Sequence, residues 1–387
     1  MTVKEVIGTV MSLFLIIYYS IYGGMHAYFF FKVHQALNPT GWRLLALILF
    51  LLLMVNGPVL VRLLERKGDM LPATLFAYVS YFWMAGLLWF LFLGITRDLW
   101  NTGVRLASFI TPESYRLIIP PRPAFFVTVL LITVAAVAGF IEARGLRTER
   151  VVVETDLFPA GSGPVKVAQI SDVHLGLIEG QRRIDQILSI LHAERPDILL
   201  ASGDILDGMA HHVDSLSSSF AAFQPPLGKF AVTGNHEYYV GLADSLSFLE
   251  KSGFRVLRGE AVHAGPLRLA GVDDPAGRQT GQASYLDEGA ALAMGDQRRF
   301  TILVKHQPLV EDSSVGRFQL QVSGHTHKGQ IFPFNYPVRI RYRYIAGLFD
   351  LARGSLIYTS RGTGTWGPPL RLFSPPEVTI YTIKAKG

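Results

Sequence analysis

A chain of 387 residues, half of them hydrophobic and with a mean hydropathy of +0.31, is too long for one ordinary domain and too apolar to be wholly soluble. Its charge of +6 and pI near 9.4 raise nucleic acid as a partner, but residues 1–150 carry 13 Lys and Arg against 7 Asp and Glu, whereas residues 151–387 carry 23 of each. The excess therefore flanks apolar segments, where basic residues meet anionic lipid, and no nucleic-acid partner is expected.

Four stretches in the first 150 residues lack Asp, Glu, Lys and Arg: residues 6–31, 44–61, 70–96 and 123–141. A bilayer core takes about 20 mostly apolar residues, so each is long enough to cross, and a transmembrane four-helix region over 1–150 is expected. The first stretch exceeds a signal-peptide core and is expected to stay in the mature protein. With four crossings, seven basic residues (Lys4, Arg62, Arg66, Lys67, Arg144, Arg147, Arg150) fall on the side of the second half, against six opposite. The expectation is an integral inner- or plasma-membrane protein with its second half in the cytoplasm. The proline-punctuated segment 105–121 reads as an interfacial helix or loop. His26, in the first stretch, is expected near the interface.

After the basic cluster Arg144 to Arg150 the pattern changes to short apolar or β-branched runs at 165–170, 197–201, 229–233, 267–272, 300–304 and 318–322. These read as buried strands. Helix-like segments at 182–194 and 243–252 intervene, so residues 151–387 are expected to form an α/β domain presenting loops on one rim. Polar residues crowd at the strand ends. The first run leads into Asp172-Val-His174, the second into Gly203-Asp204-Ile-Leu-Asp207, and the third into Gly234-Asn235-His236-Glu237. A later run ends in His306 and the last in Gly324-His325-Thr-His327. Carboxylate, amide and imidazole donors in this mixture suit Mn2+, Fe, Zn2+ or Mg2+, and their number points to two ions; the chain has no cysteine to offer a thiolate. Alternate residues of a strand share a face, which brings Asp172 beside His174 and His325 beside His327.

These five segments, in this order, resemble the calcineurin-like metallophosphoesterase superfamily, whose pattern is D-x-H, G-D-x-x-D, G-N-H-[DE], H and G-H-x-H. The resemblance implies an α/β/β/α sandwich. It implies that Asp172, His174 and His327 hold one divalent ion, that Asn235, His306 and His325 hold the other, and that Asp204 bridges them, with Mn2+ the favoured metal. It gives His236 the role of general acid or transition-state stabiliser, with Asp207 orienting its ring, and Glu237 a structural role. The activity implied is hydrolysis of a phosphodiester, pyrophosphate or phosphomonoester by a water that the two ions activate.

Outside that set, Arg339, Arg341 and Arg343 alternate with apolar residues, so a strand would turn three cations to one face, for phosphates or as a charged sheet edge. The segment 360–369 reads as a Gly-rich loop, similar to a tail of the membrane-associated, lipid-acting branch of the superfamily. Arg361 within it is expected either to bind substrate or to pair with a carboxylate. Residues 331–334, Ile-Phe-Pro-Phe, face either lipid or core, and His211-His212 is expected in a solvated loop. Anchoring at a bilayer raises the effective concentration of lipid-borne substrates, so the expected partners are the bilayer and a lipid-linked phosphoester. The alternatives are a membrane-bound sensor or scaffold, or a hydrolase of soluble nucleotides.

Overall fold

The computed structural model describes residues 3–158, 161, 163–209, 213–282 and 284–386, with side chains from residue 15 onward. His211 and His212 lie outside the described residues. The chain divides into two compact units, Met1–Ala138 and Gly139–Gly387. That division falls ahead of the change in composition near residue 150, because the last turns of one apolar helix are hydrogen-bonded into the second unit.

The first unit is helical: α1 (Val3–Leu37), α2 (Gly41–Val55), α3 (Gly57–Arg66), α4 (Met70–Ser108) and the start of α5 (Pro121–Arg144). Among the described residues, α4 and α5 are long and apolar enough to cross a membrane. The pair α2 and α3, bent by 56°, would add one broken span. A Cβ on Gly57 would lie 2.2 Å from Ser80 Oγ, so the small residue lets α3 press against α4. His26 is buried, bonded through Nε2 to Trp83 Nε1 at 2.9 Å and through Nδ1 to the Tyr22 carbonyl at 2.7 Å. A buried imidazole needs partners for both nitrogens, and His26 has them. Segment 105–121 contains the end of α4 and a 3-10 turn, Pro112–Leu117, tied back where Trp100 and Asn101 donate to the Leu117 and Ile119 carbonyls at 3.0 Å.

The second unit holds two six-stranded mixed sheets. The first has the order β1 (Arg147–Thr155), β12 (Glu377–Ala385), β2 (Val165–Ile170), β3 (Ile198–Ala201), β4 (Lys229–Ala231), β5 (Arg255–Val256). The second runs β10 (Gly347–Asp350), β11 (Leu356–Thr359), β9 (Leu320–Ser323), β8 (Thr301–Val304), β7 (Leu267–Gly271), β6 (Glu260–Ala264). Both faces of the central strands are apolar, and successive side chains point to opposite faces. Val167, Leu200 and Phe230 therefore meet Leu269, Ile302 and Val322 between the sheets. Ala168, Leu199 and Ala231 turn the other way, onto α6 (Gln181–Glu194) and the helices Ser217–Ala222 and Leu242–Lys251. The helix Glu288–Ala293 covers the outer face of the second sheet through Leu292. Each such leucine or phenylalanine contributes about 1.5–3 kcal/mol by leaving water.

Strands β2, β3 and β4 are mutually parallel, as are β7, β8, β9 and β11. Parallel strands within a sheet end on the same side, so the loops that follow them gather at one rim. One expected strand is absent: the Arg339 region forms a helix, Asn335–Arg341. Its Pro337 sits in the first turn, where a missing N–H costs nothing, and at about 100° per residue Arg339 and Arg341 no longer share a face.

Candidate metal centre

The loops after β2, β3, β4, β8 and β9 bring the seven expected ligands together. Asp172, His174 and His327 offer atoms within 4.8 Å of one another, and so do Asp204, His306 and His325. Nε2 of His174 lies 3.1 Å from Nε2 of His327, which is 3.3 Å from Asp172 Oδ1. In the other group Nε2 of His306 is 3.2 Å from Nδ1 of His325, whose same nitrogen is 2.9 Å from Asn235 Oδ1. Asp204 stands between them: its Oδ2 is 3.1 Å from His306 Nε2 and 4.0 Å from His174 Nε2.

Strand alternation does not produce this. Asp172, His174, Asp204, His325 and His327 all have positive φ, between 48° and 69°. The turns after the strands, not an extended backbone, aim these side chains inward. Left-handed non-glycine residues cost on the order of 1 kcal/mol or more each, and such strain gathers where a site must be held in one geometry. Glycines make the approach possible. A Cβ on Gly234 would lie 2.2 Å from Asp204 Oδ1, and one on Gly324 would lie 2.2 Å from Asp172 Oδ2.

A surrounding layer fixes the ligands. The Glu237 carboxylate accepts from the backbone N–H of Gly234 at 2.7 Å, Asp204 at 2.9 Å and Ile205 at 2.8 Å, which locks the β3 and β4 loops together. Both oxygens of Asp172 accept from the His325 N–H at 3.0 Å. The Gly-rich segment 360–369 is irregular, as expected, and braces the first motif: Thr363 N–H donates to the Ser171 carbonyl at 2.7 Å and Gly364 N–H to the Asp172 carbonyl at 2.9 Å. Tyr342 Oη lies 2.8 Å from Nε2 of His325, and Arg371 Nη2 lies 2.9 Å from Nδ1 of His327.

His236 lies in the first turn of the helix Asn235–Val240, and its Nδ1 is 2.9 Å from Asp207 Oδ1. Its ring stands 4.6 Å from that of His174, so it flanks the ligand group. Exposed Tyr239 and Trp366 sit beside it, with ring centroids 5.5 Å and 5.8 Å away. The guanidinium of Arg361 is not brought to the cluster. It donates to the Pro375 carbonyl at 3.0 Å and pairs with Glu377 at 2.5 Å and with Glu149. Of the two readings of Arg361, carboxylate pairing is the one its geometry satisfies.

Protonation states within the cluster are mixed: against its burial, Asp204 lifts His306 well above the ordinary histidine range, so that a cation there would displace its proton, whereas other imidazoles are held neutral. Burial pulls the pKa of His174 down to about 3, reinforced by the charge of His236, and that of His325 to about 4, reinforced by His306. Neutral imidazole is the form that ligates. Burial would raise Asp172 and Asp204, but neighbouring histidines outweigh it, and both carboxyls sit below the ordinary range. Burial also opposes a charge on His236, yet Asp204 and the hydrogen bond to Asp207 lift its pKa to about 9. Oxygen and nitrogen donors without sulfur, with two carboxylates and one amide, fit a pair of divalent ions of the Mn, Fe, Zn or Mg type.

Sequence reasoning missed Tyr342, Arg371 and Asp274. Asp274 follows β7 at the same rim, where its carboxylate accepts from Gln307 at 2.9 Å. An Asp-Asp pair after an apolar run was a usable signal for it; Tyr342 and Arg371 carried none.

Comparison with known proteins agrees with this geometry. Residues 165–329 match the family described as calcineurin-like phosphoesterase. A metallophosphoesterase of Aquifex aeolicus is 44% identical over 264 residues, covering 68% of this chain and 99% of that protein. One of Campylobacter jejuni is 31% identical over 279 residues, covering 71% of this chain and 73% of that one. A Bos taurus protein named as a transmembrane protein with metallophosphoesterase domain is 30% identical over 304 residues, covering 74% of this chain and 67% of its own length. The clustered Asp, His and Asn donors and these likenesses lead to one conclusion: the chain belongs to the calcineurin-like metallophosphoesterases, a family of dinuclear metal-dependent phosphoester hydrolases.

Proposed function

We propose that this enzyme hydrolyses a lipid-linked phosphoester at the membrane that anchors it, with His236 as the proton donor. The observation that carries the reading is the placement of His236 against the ligand groups, backed by Asp207 at 2.9 Å. Asp172, His174 and His327 would hold one ion and Asn235, His306 and His325 the other, with Asp204 shared between them; Mn2+ is the favoured metal. Ions there would lower the pKa of a water and neutralise charge gathering on the phosphoryl oxygens.

The chain's own residues do the rest. Asp207 accepts from Nδ1 of His236, which leaves Nε2 as the nitrogen free to give its proton to the departing alkoxide. Against its burial, Asp204 and the hydrogen bond to Asp207 raise the pKa of His236 above the ordinary histidine value, which favours the protonated ring. Tyr239 and Trp366 offer aromatic surface where the leaving group would lie. Anchoring is supported by α4 and α5, and a region of four crossings with the second unit on the cytoplasmic side is the arrangement we favour. A hydrolase held at a bilayer meets lipid phosphoesters at high effective concentration.

Full-length protein in lipid nanodiscs with Mn2+, assayed on an aryl phosphodiester, an aryl monoester, lipid phosphoesters and soluble nucleotides, tests the proposal. Turnover of a lipid phosphoester that falls about 10²–10⁴-fold in His236→Ala supports it. Turnover confined to soluble nucleotides, or an unimpaired His236→Ala variant, overturns it.

A further inference from the structure

Two features of the second unit converge on one surface. The first is where the chain leaves its last apolar helix. The final turns of α5 are tied into the unit: the Gly139 carbonyl accepts from Arg371 N–H at 2.9 Å, Glu142 Oε1 from Ser374 N–H at 2.7 Å, and the Ala143 carbonyl from Arg183 Nη2 at 2.7 Å. Strand β1 then begins at Arg147. It pairs with β12 in parallel, Arg147 opposite Glu377, and β12 pairs with β2 antiparallel, Thr379 opposite Gln169. The start of β1 is therefore level with the end of β2, where Asp172 follows. Three residues from Arg144 to Arg147 span at most about 10 Å, so the emerging chain and the metal centre share one rim.

The second feature is the character of that rim. Phe373 is 67% exposed although it adjoins the residue held by Glu142, and Tyr336 and Ile340 are 59% and 89% exposed. Phe332 links them, its ring 5.9 Å from those of Phe373 and Tyr336. Soluble surfaces seldom carry so continuous an apolar strip. Cations accompany it: residues 328–349 contain Lys328, Arg339, Arg341 and Arg343 and no Asp or Glu. Aromatic rings beside a basic segment match the boundary between headgroups and acyl chains of an anionic bilayer.

We propose that the strip formed by Phe373, Phe332, Tyr336 and Ile340, with Arg339, Arg341 and Arg343, lies in the anionic lipid interface of the bilayer that holds α5, so that the metal centre opens against the membrane surface. Tyr342, whose hydroxyl lies 2.8 Å from the ligand His325, follows directly on Arg341 and ties the strip to the site. The inference builds on the membrane-anchored reading above and deepens it.

Because the chain has no cysteine, single-site spin labelling needs no background substitutions. Full-length Tyr336→Cys, Ile340→Cys and Phe373→Cys, labelled in nanodiscs of phosphatidylcholine with about 30% phosphatidylglycerol, are compared with Arg298→Cys. Arg298 precedes β8 and so lies at the opposite end of that strand from His306, with its side chain 92% exposed. The strip labels are expected to relax several-fold faster with oxygen than with a water-soluble nickel chelate, and the Arg298 label to show the reverse. The triple variant Arg339→Gln, Arg341→Gln, Arg343→Gln is expected to reduce that preference while retaining turnover of a soluble aryl ester. Strip labels as exposed to nickel as Arg298, or shielded from both reagents as under a protein partner, overturn the inference. Lipid depth is read without substrate, so embedded labels together with turnover confined to soluble nucleotides would refute the substrate reading alone.

Discussion

Oδ1 of Asp207 lies 2.9 Å from Nδ1 of His236, and this contact orients a ring flanking the expected metal ligands. Asp207 raises the pKa of His236, as does Asp204. In Asp207→Asn the histidine gives up its proton at lower pH, so the alkaline limb of the rate profile is expected to move down in pH and kcat to fall about 10–100-fold. His236→Ala should remove the limb altogether. A limb that stays in place in Asp207→Asn would show that another group donates the proton.

Metal removal should cost stability as well as activity. Five ligands held at left-handed φ, with carboxylates kept ionised in a buried cluster, are arranged for cations, and a ligand at about 100 times its Kd stabilises by about 2.7 kcal/mol. Chelation is expected to lower Tm by several degrees and abolish turnover, and Mn2+ to restore both. In Asp204→Asn, Mn2+ should raise Tm less; an undiminished rise measured by scanning calorimetry would place the ions elsewhere.

Gly234→Ala tests the close approach of the β3 and β4 loops. Its φ of −102° suits alanine, so the expected harm is steric: the added Cβ would meet Asp204 Oδ1 at 2.2 Å and the Asp204 nitrogen at 2.5 Å. Loss of most Mn2+ binding and at least tenfold lower kcat are expected by titration and assay. Gly163→Ala, with nothing within 4 Å, should change neither.

Arg361→Ala is expected to lower stability by about 3 kcal/mol, because it strands the buried carboxylate of Glu377. The KM of the folded fraction should hold, as the guanidinium serves carboxylates. A large rise in KM with unchanged Tm would return Arg361 to the substrate.

The convergence of the seven expected ligands was legible in sequence because each follows an apolar run and parallel strands deliver their ends to one place; their division between two ions came from the family resemblance. How they reach each other was not legible, since Asp and His are only enriched at left-handed positions and mostly take ordinary φ elsewhere. Arg361 shows the same limit: Glu149 and Glu377 became its neighbours only once β1 and β12 paired. The Arg339 region misled because alternation over a few residues fits a strand until Pro337 starts a helix. Apolar runs marked the long helices well, but charge counts alone could not reveal the 56° bend between α2 and α3.

The nine-residue strand β12 sits between β1 and β2, and among the described residues no other strand joins them in the first sheet. A ribosome delivers α5 and β1 more than two hundred positions before that bridge. On the membrane-anchored reading proposed above, the anchor would enter lipid while the hydrolase is still an open sheet, and the sheet would close only afterwards.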